Sequence, residues 1–275
     1  MPEQKFRSFR VEAVVLRHSD YGEADRLLTL YTRQLGKTRV MAKGARKIAS
    51  RKAGHIEPFT HVKLQLSRGR DMLILTQADT VEAYLPIRDD LILTSHAAYV
   101  LELLDRFTYE DESENSSIFR LLTETLSRLA SISDSSSPLS ATWLVLRYYE
   151  MRLLDHLGFR PQLITCVNCG REIKAEDQFF SFSAGGVICP GCGKGLKHLH
   201  SISVEALKYL RHFQRSSYAE AARARTTLEV QQETETLMQG YFTYLLEREL
   251  NTPGFLKKIK GQASASPSST RTPGR

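Results

Sequence analysis

Apolar runs of strand length, separated by turn residues, fill the first 80 positions of the chain. One run alternates strictly between polar and apolar side chains, which is the pattern of a strand with one face in water. The runs cover residues 11–18, 24–31, 38–42, 61–66 and 72–81. Five short strands in this length predict a small β-barrel. The five-stranded OB-fold is the leading candidate because of its size.

From residue 88 onward, apolar residues recur every three or four positions, which is the spacing of a helix. Ser203 has the position of an N-cap for a helix that ends near Gln214, and Ser137 and Pro138 resemble a cap followed by proline in the first turn. Other helices are predicted from apolar residues that recur every three or four positions near 93–104, 118–129, 146–157 and 237–245.

Four cysteines form two closely spaced pairs that have the spacing of a zinc site, C-x₂-C-x₁₉-C-x₂-C. They are Cys166, Cys169, Cys189 and Cys192. Four thiolates complete a tetrahedral shell and leave no position for water, so we expect one structural Zn²⁺. His198 and His200 lie nearby but are not needed as ligands. The alternatives are four free cysteines or a redox pair, although no thioredoxin-like pattern surrounds them.

These patterns predict an α+β protein, with an N-terminal five-stranded OB-fold β-barrel followed by an α-helical domain with an inserted four-cysteine zinc module. The predicted boundaries are 1–82 for the barrel, 83–260 for the helical domain and about 163–197 for the module. Residues 261–275 lack apolar periodicity and are expected to be a disordered tail. No apolar stretch has membrane-spanning length, and the N-terminus lacks a signal-peptide core, so a cytoplasmic location is expected.

Positive charge is concentrated in the first third of the chain. The net charge is +7, yet residues 1–80 hold 16 Lys/Arg against 8 Asp/Glu, and residues 81–275 hold 22 against 23. Such asymmetry indicates a face that binds a polyanion, most simply nucleic acid. Between residues 37 and 52 seven cations occur without an acidic residue: Lys37, Arg39, Lys43, Arg46, Lys47, Arg51 and Lys52.

The alternative interpretation of this basic stretch is a mobile, solvated loop. On an OB-fold, nucleic-acid binding is the stronger hypothesis, because the grooves of this fold commonly hold single strands. Few aromatic side chains are available for base stacking, and most are expected to fill the barrel: Phe6, Phe9, Tyr21, Tyr31 and Phe59. Binding is therefore expected to depend on the phosphate backbone and to show little sequence preference.

Three stretches of the chain resemble the bacterial RecO family of recombination mediators. The first is EADRLLTLY at 23–31 with GK at 36–37, and the second is AKGARK at 42–47. The third is LGFRPQL at 157–163 leading into the first cysteine pair, with FSAGG at 182–186 leading into the second. Their order over this length is specific, and the resemblance extends to about residue 250.

The resemblance implies a non-enzymatic protein that binds single- and double-stranded DNA, anneals complementary strands and helps to load RecA onto DNA coated by single-strand-binding protein. It also implies RecR and the C-terminal tail of single-strand-binding protein as partners, and a place at the nucleoid. Two alternatives remain: a zinc-containing adaptor whose basic loop binds an acidic partner, and an RNA-processing enzyme. The enzyme would need clustered carboxylates or a nucleophile, and neither stands out in the sequence.

Overall fold

The first five strands close into a barrel in the order β1-β2-β3-β5-β4. The computed structural model describes residues 8–110, 116–134, 138–247 and 252. In it β3 and β5 pair in parallel and the other neighbours are antiparallel. The predicted α+β class with an N-terminal five-stranded barrel is confirmed. The strands are β1 (Ser8–Tyr21), β2 (Asp25–Thr32), β3 (Gly36–Ala42), β4 (His61–Arg68) and β5 (Leu73–Glu82).

Alternation of side chains along the strands builds two apolar surfaces. In β4, Val62, Leu64 and Leu66 are buried in the barrel while Lys63 is exposed, as the polar–apolar pattern predicts. On the outside of the barrel, side chains of β1 and β2 join the core of the helices instead: Val14, Leu16 and Tyr31. The barrel therefore has its own core and also packs against the helical part.

The helical part is built around α2 and α4, which contribute many of its buried side chains. Asp90 caps α2 by accepting from the amides of Ile92 and Leu93, and Ser203 caps α6, which confirms its predicted role. The predicted cap at Ser137 and the tail at 261–275 lie outside the described residues. The helices are α1 (Leu85–Asp89), α2 (Leu91–Phe107), α3 (Ser116–Ala130), α4 (Pro138–His156), α5 (Pro190–Gly193), α6 (Val204–Arg215), α7 (Tyr218–Ala221) and α8 (Leu228–Leu246).

A small sheet lies between α4 and α6 in the sequence, in the same segment as the four cysteines. Its strands are β6 (Gln178–Ser181), β7 (Gly186–Ile188) and β8 (His200–Ile202), in the order β7-β6-β8. Phe180 of this sheet packs edge-on against Tyr241 of α8, with 5.4 Å between the ring centroids. The sheet thus shares the hydrophobic core of the helices. None of the described helices is long and apolar enough to cross a membrane.

Candidate metal centre and basic face

The four cysteines lie in loops and in α5, next to the small sheet, and converge at one point. Their sulfur atoms all lie within 4.8 Å of one another, and those of Cys169 and Cys189 are 3.9 Å apart. Ligands at about 2.3 Å from a tetrahedral zinc ion stand roughly 3.8 Å from each other, so the separation fits. No other group of potential metal ligands is present in the described part of the chain. These four residues could hold one metal ion.

Hydrogen bonds to the sulfur atoms of Cys166 and Cys169 favour the thiolate form of these two residues. The backbone amide of Cys189 donates to Sγ of buried Cys166 at 3.3 Å, and Nε of Arg171 donates to Sγ of Cys169 at 3.4 Å. The Arg171 bond lowers the pKa of Cys169 to about 6. Although a bond from Asn168 lowers the pKa of Cys192, the neighbouring thiols raise it to about 11. A metal cation that binds all four sulfur atoms would offset the repulsion between neighbouring thiolates.

The nearby histidines have other roles. The ring of His200 stacks on Phe182, with centroids 3.9 Å apart. His198 adopts a left-handed backbone conformation with φ of 59° and is not part of the cluster. The four cysteine sulfur atoms make up the cluster without an imidazole. Each pair spans a tight turn, since the amide of Gly170 donates to the carbonyl of Cys166 and the amide of Gly193 to that of Cys189.

The seven predicted DNA contacts fall into three groups, of which the first faces the helices. Lys37 and Arg39 lie on β3, and both form ion pairs with acidic residues of the helical part. The partner of Lys37 is Asp105 on α2, and the partner of Arg39 is Glu110 just beyond that helix. The side chain of Lys37 is only 13% exposed. Sequence reasoning missed these pairs, because the acids are distant along the chain.

The second group shapes the loop between β3 and β4. Arg46 donates to the backbone carbonyls of Gly22 and Glu23 in the β1–β2 turn, each at 3.2 Å. Lys52 reaches back to the carbonyls of Lys43 and Leu75, at 3.0 and 3.3 Å. These bonds hold residues 43–52, which we call the basic loop, against the barrel. Arg46 and Lys52 therefore fix its shape.

The third group consists of exposed cations without a partner. Within the described residues, the side chains of Lys43, Lys47 and Arg51 form no hydrogen bond or ion pair, and all three are exposed. Gly44 between the first two has φ of +66°, which lets the chain turn back directly after β3. Its amide donates to Oδ1 of Asp25 at 2.7 Å. The structure thus brings three free positive charges together on one anchored loop.

Most of the aromatic residues considered for base stacking are part of the packing. Tyr31 is buried between barrel and helices, Phe59 packs against the helical core and Phe9 against the barrel core. Tyr21 is exposed at the end of β1, and Phe6 lies outside the described residues. The basic loop instead carries one large apolar residue, Ile48, which sequence analysis missed. Its signal was a single isoleucine within a strongly basic stretch.

Comparisons with known proteins agree on one family over most of the chain. Residues 6–84 match the family model "Recombination protein O N terminal" and residues 88–253 match "Recombination protein O C terminal". The chain is similar to a DNA repair protein RecO of Roseiflexus sp. (strain RS-1), with 40% identity over 254 residues, covering 92% of this chain and 87% of the relative.

Two further relatives carry the same name. The DNA repair protein RecO of Dehalococcoides mccartyi is 35% identical over 245 residues, which cover 89% of this chain and 93% of the relative. That of Symbiobacterium thermophilum is 31% identical over 254 residues, which cover 92% and 98%. With both family models matched in order and relatives of similar length, this chain belongs to the RecO family of DNA repair and recombination proteins.

Proposed function

We propose that this chain is a non-enzymatic mediator of DNA repair and recombination that holds DNA strands on its basic loop. The observation that carries the proposal is the group of three exposed, unpaired cations, Lys43, Lys47 and Arg51. Cations that repel one another without a counter-charge favour a polyanion as partner. Phosphate binding releases condensed counterions from the nucleic acid, and this release drives association without regard to sequence.

Weak sequence preference suits a protein that anneals strands. Lysine and arginine contacts to phosphates position a strand but leave its base edges unread. A strand held in this way keeps its bases available to a complementary strand, so pairing proceeds without a covalent intermediate. We propose the same loop for single- and double-stranded DNA, because both present a phosphate track.

The helical part and the metal have supporting roles in this proposal. We infer that the helical part binds the C-terminal tail of single-strand-binding protein and that RecR joins the complex, so that RecA is loaded where strands are coated. These partners rest on membership of the family. The four cysteines would hold one Zn²⁺, which supplies a rigid cross-link between the two turns. The protein would act in the cytoplasm, at the nucleoid.

The decisive experiment measures strand affinity across a salt series for a loop variant and a matched control. The variant is Lys43→Gln/Lys47→Gln/Arg51→Gln. The control, Arg215→Gln/Arg223→Gln/Arg225→Gln, removes the same charge from exposed positions of the helical part. If the three loop cations each contact a phosphate, the log–log slope for a single strand becomes shallower by about 2, at roughly 0.7 per contact. The control should keep the wild-type slope.

Several outcomes would contradict the proposal. An unchanged slope in the loop variant would remove the basic loop as the binding site. Binding of an acidic peptide in place of the strand would support the adaptor alternative. An annealing assay without nucleotide then separates a mediator from an inert DNA binder, because a mediator accelerates pairing of complementary strands. Cleavage or modification of RNA by the purified chain would indicate an enzyme.

A further inference from the structure

Ile48 is fully exposed on the basic loop, with a relative accessibility of 106%. No other large apolar side chain in the described ranges is as exposed. Single exposed apolar residues are common and carry no meaning by themselves. The surroundings of Ile48 are the informative part, since Lys47 precedes it and the other two free cations, Lys43 and Arg51, lie on the same loop.

The backbone presents Ile48 in a defined position. The amide of Ser50 donates to the carbonyl of Lys47 at 2.8 Å, which closes a tight turn with Ile48 and Ala49 at its centre. On the N-terminal side of this turn, Ala45 is buried in the barrel core, and the amide of Arg46 donates to the carbonyl of Ala24 at 2.9 Å. The turn is therefore fixed to the barrel at its base.

The side chain of Ile48 is itself stiff, because branching at Cβ restricts χ1. A stiff side chain on an anchored turn loses little conformational freedom when a partner covers it. Contact with a phosphate gives the apolar side chain of Ile48 no favourable free energy. Contact with the apolar face of a base does. All four bases have such a face, so the contact adds affinity without adding sequence preference.

We infer that Ile48 contacts the face of a base in the strand held by the basic loop and partly separates that base from its neighbour. Apolar side chains inserted at base steps unstack them in other nucleic-acid complexes. This inference rests on the proposed function and deepens it. Unstacking breaks the internal order of a single strand, and a base freed from its neighbour is presented for pairing. Ile48 thereby links phosphate binding to annealing.

The test uses a single strand with one 2-aminopurine between adenines, because this base fluoresces more strongly when it is unstacked. Saturation with the wild-type chain should raise the emission, and Ile48→Ser should abolish the rise. Ile48→Val keeps a branched apolar group and should retain it. The control is Leu228→Ser, which removes a side chain that is 63% exposed at the start of α8.

The same titration, repeated across a salt series, separates this inference from the proposed function. Ile48→Ser should keep the wild-type salt slope and bind about tenfold more weakly, the scale set by half-burial of one isoleucine side chain. Salt-dependent wild-type binding without increased emission would overturn only the role of Ile48. If folded Ile48→Ser showed the wild-type rise in 2-aminopurine emission and the wild-type affinity for the strand, only the role of Ile48 would likewise be overturned. Wild-type binding without salt dependence would overturn both proposals.

Discussion

Lys37 of β3 places its Nζ 2.7 Å from Oδ1 of Asp105 on α2 and joins the barrel to the helices. The same ammonium group donates to the carbonyl of Thr108 at 3.0 Å. Arg17 of β1 reaches the other oxygen of Asp105 at 3.0 Å. One carboxylate thus holds cations from two strands. This arrangement gives Lys37 a structural role at the junction, whereas Lys43, Lys47 and Arg51 remain free for a ligand.

Replacing Lys37 by methionine should destabilise the fold rather than alter DNA binding. The change removes the ion pair and leaves the carbonyl of Thr108 without its donor, which should lower the free energy of unfolding by about 1–3 kcal/mol. Denaturant unfolding measures this loss. The control is Lys63→Met on β4, because Lys63 is exposed and should cost little. Wild-type stability combined with a shallower salt slope would show that Lys37 contacts phosphate after all.

The junction should also make stability depend on acid pH. Burial would raise the pKa of Asp105, but hydrogen bonds from Lys37 and Arg17 outweigh it and hold the pKa below its ordinary value of 3.8. A lowered pKa contributes stability that is present above the ordinary value and is lost as pH falls through the folded value. Wild type should therefore be more stable than Asp105→Asn near neutral pH.

That advantage should shrink below about pH 4, because the carboxyl is then protonated in the unfolded chain and begins to be protonated in the folded one. Thermal unfolding of both proteins from pH 3 to pH 7 measures the difference. A difference that stays constant over this range would show that the Asp105 carboxylate is not stabilised by its two cations.

Local features of the sequence predicted the strands, the helix cap at Ser203 and the cysteine cluster. Each depends on neighbours a few residues away: the alternation in β4, one hydroxyl before a helix, and two pairs of thiols at short spacing. The parallel pairing of β3 with β5 and the ion pair of Lys37 with Asp105 depend on residues far apart in the chain. Local charge therefore suggested seven DNA contacts, and only tertiary structure distinguishes the free cations from the paired ones.

Metal removal should destabilise the helical part and leave the basic loop intact. We expect one zinc ion per chain in wild type and none in Cys166→Ser, since Cys166 is one of the four cysteines of the cluster and its removal leaves only three thiolates. Zinc at 100 times its dissociation constant should stabilise the folded chain by about 2.7 kcal/mol. Metal analysis measures the zinc content per chain, and thermal unfolding with and without chelator measures the stabilisation by zinc. His198→Asn is the matched control and should retain the metal.

Strand binding by the metal-free chain shows whether the metal takes part in the DNA interface. The cysteine cluster and the basic loop belong to different parts of the fold, so a chelated but folded chain should keep the wild-type salt slope. A folded, metal-free chain that no longer binds strands would place the metal in the DNA interface.

A buried network inside the helical part offers a further test. Arg147 and Glu150 of α4 form an ion pair, and Tyr99 of α2 donates to the same carboxylate at 2.7 Å. Both charged side chains are at most 2% exposed. Nε and Nη1 of Arg147 lack a protein partner within the described residues, as does Oε2 of Glu150. Arg147 also lines a cavity of about 420 Å³ between α2, α4 and α8.

Arg147→Met should strongly lower the free energy of unfolding, and a second substitution at Glu150 should restore most of that loss. Removing one partner leaves Glu150 uncompensated and costs about 3–5 kcal/mol, but the double variant Arg147→Met/Glu150→Gln removes both charges, keeps an acceptor for the Tyr99 hydroxyl and should recover most of the loss. Burial raises the pKa of Glu150 to about 7, against the attraction of Arg147 and the bond from Tyr99. Stability linked to a raised pKa is present at low pH and is lost as pH rises through the folded value. The deficit of Arg147→Met should thus be larger at pH 8 than at pH 5, where Glu150 is protonated in both proteins. Denaturant unfolding of all variants at the two pH values measures this, and a deficit independent of pH would show that Glu150 does not titrate in the core.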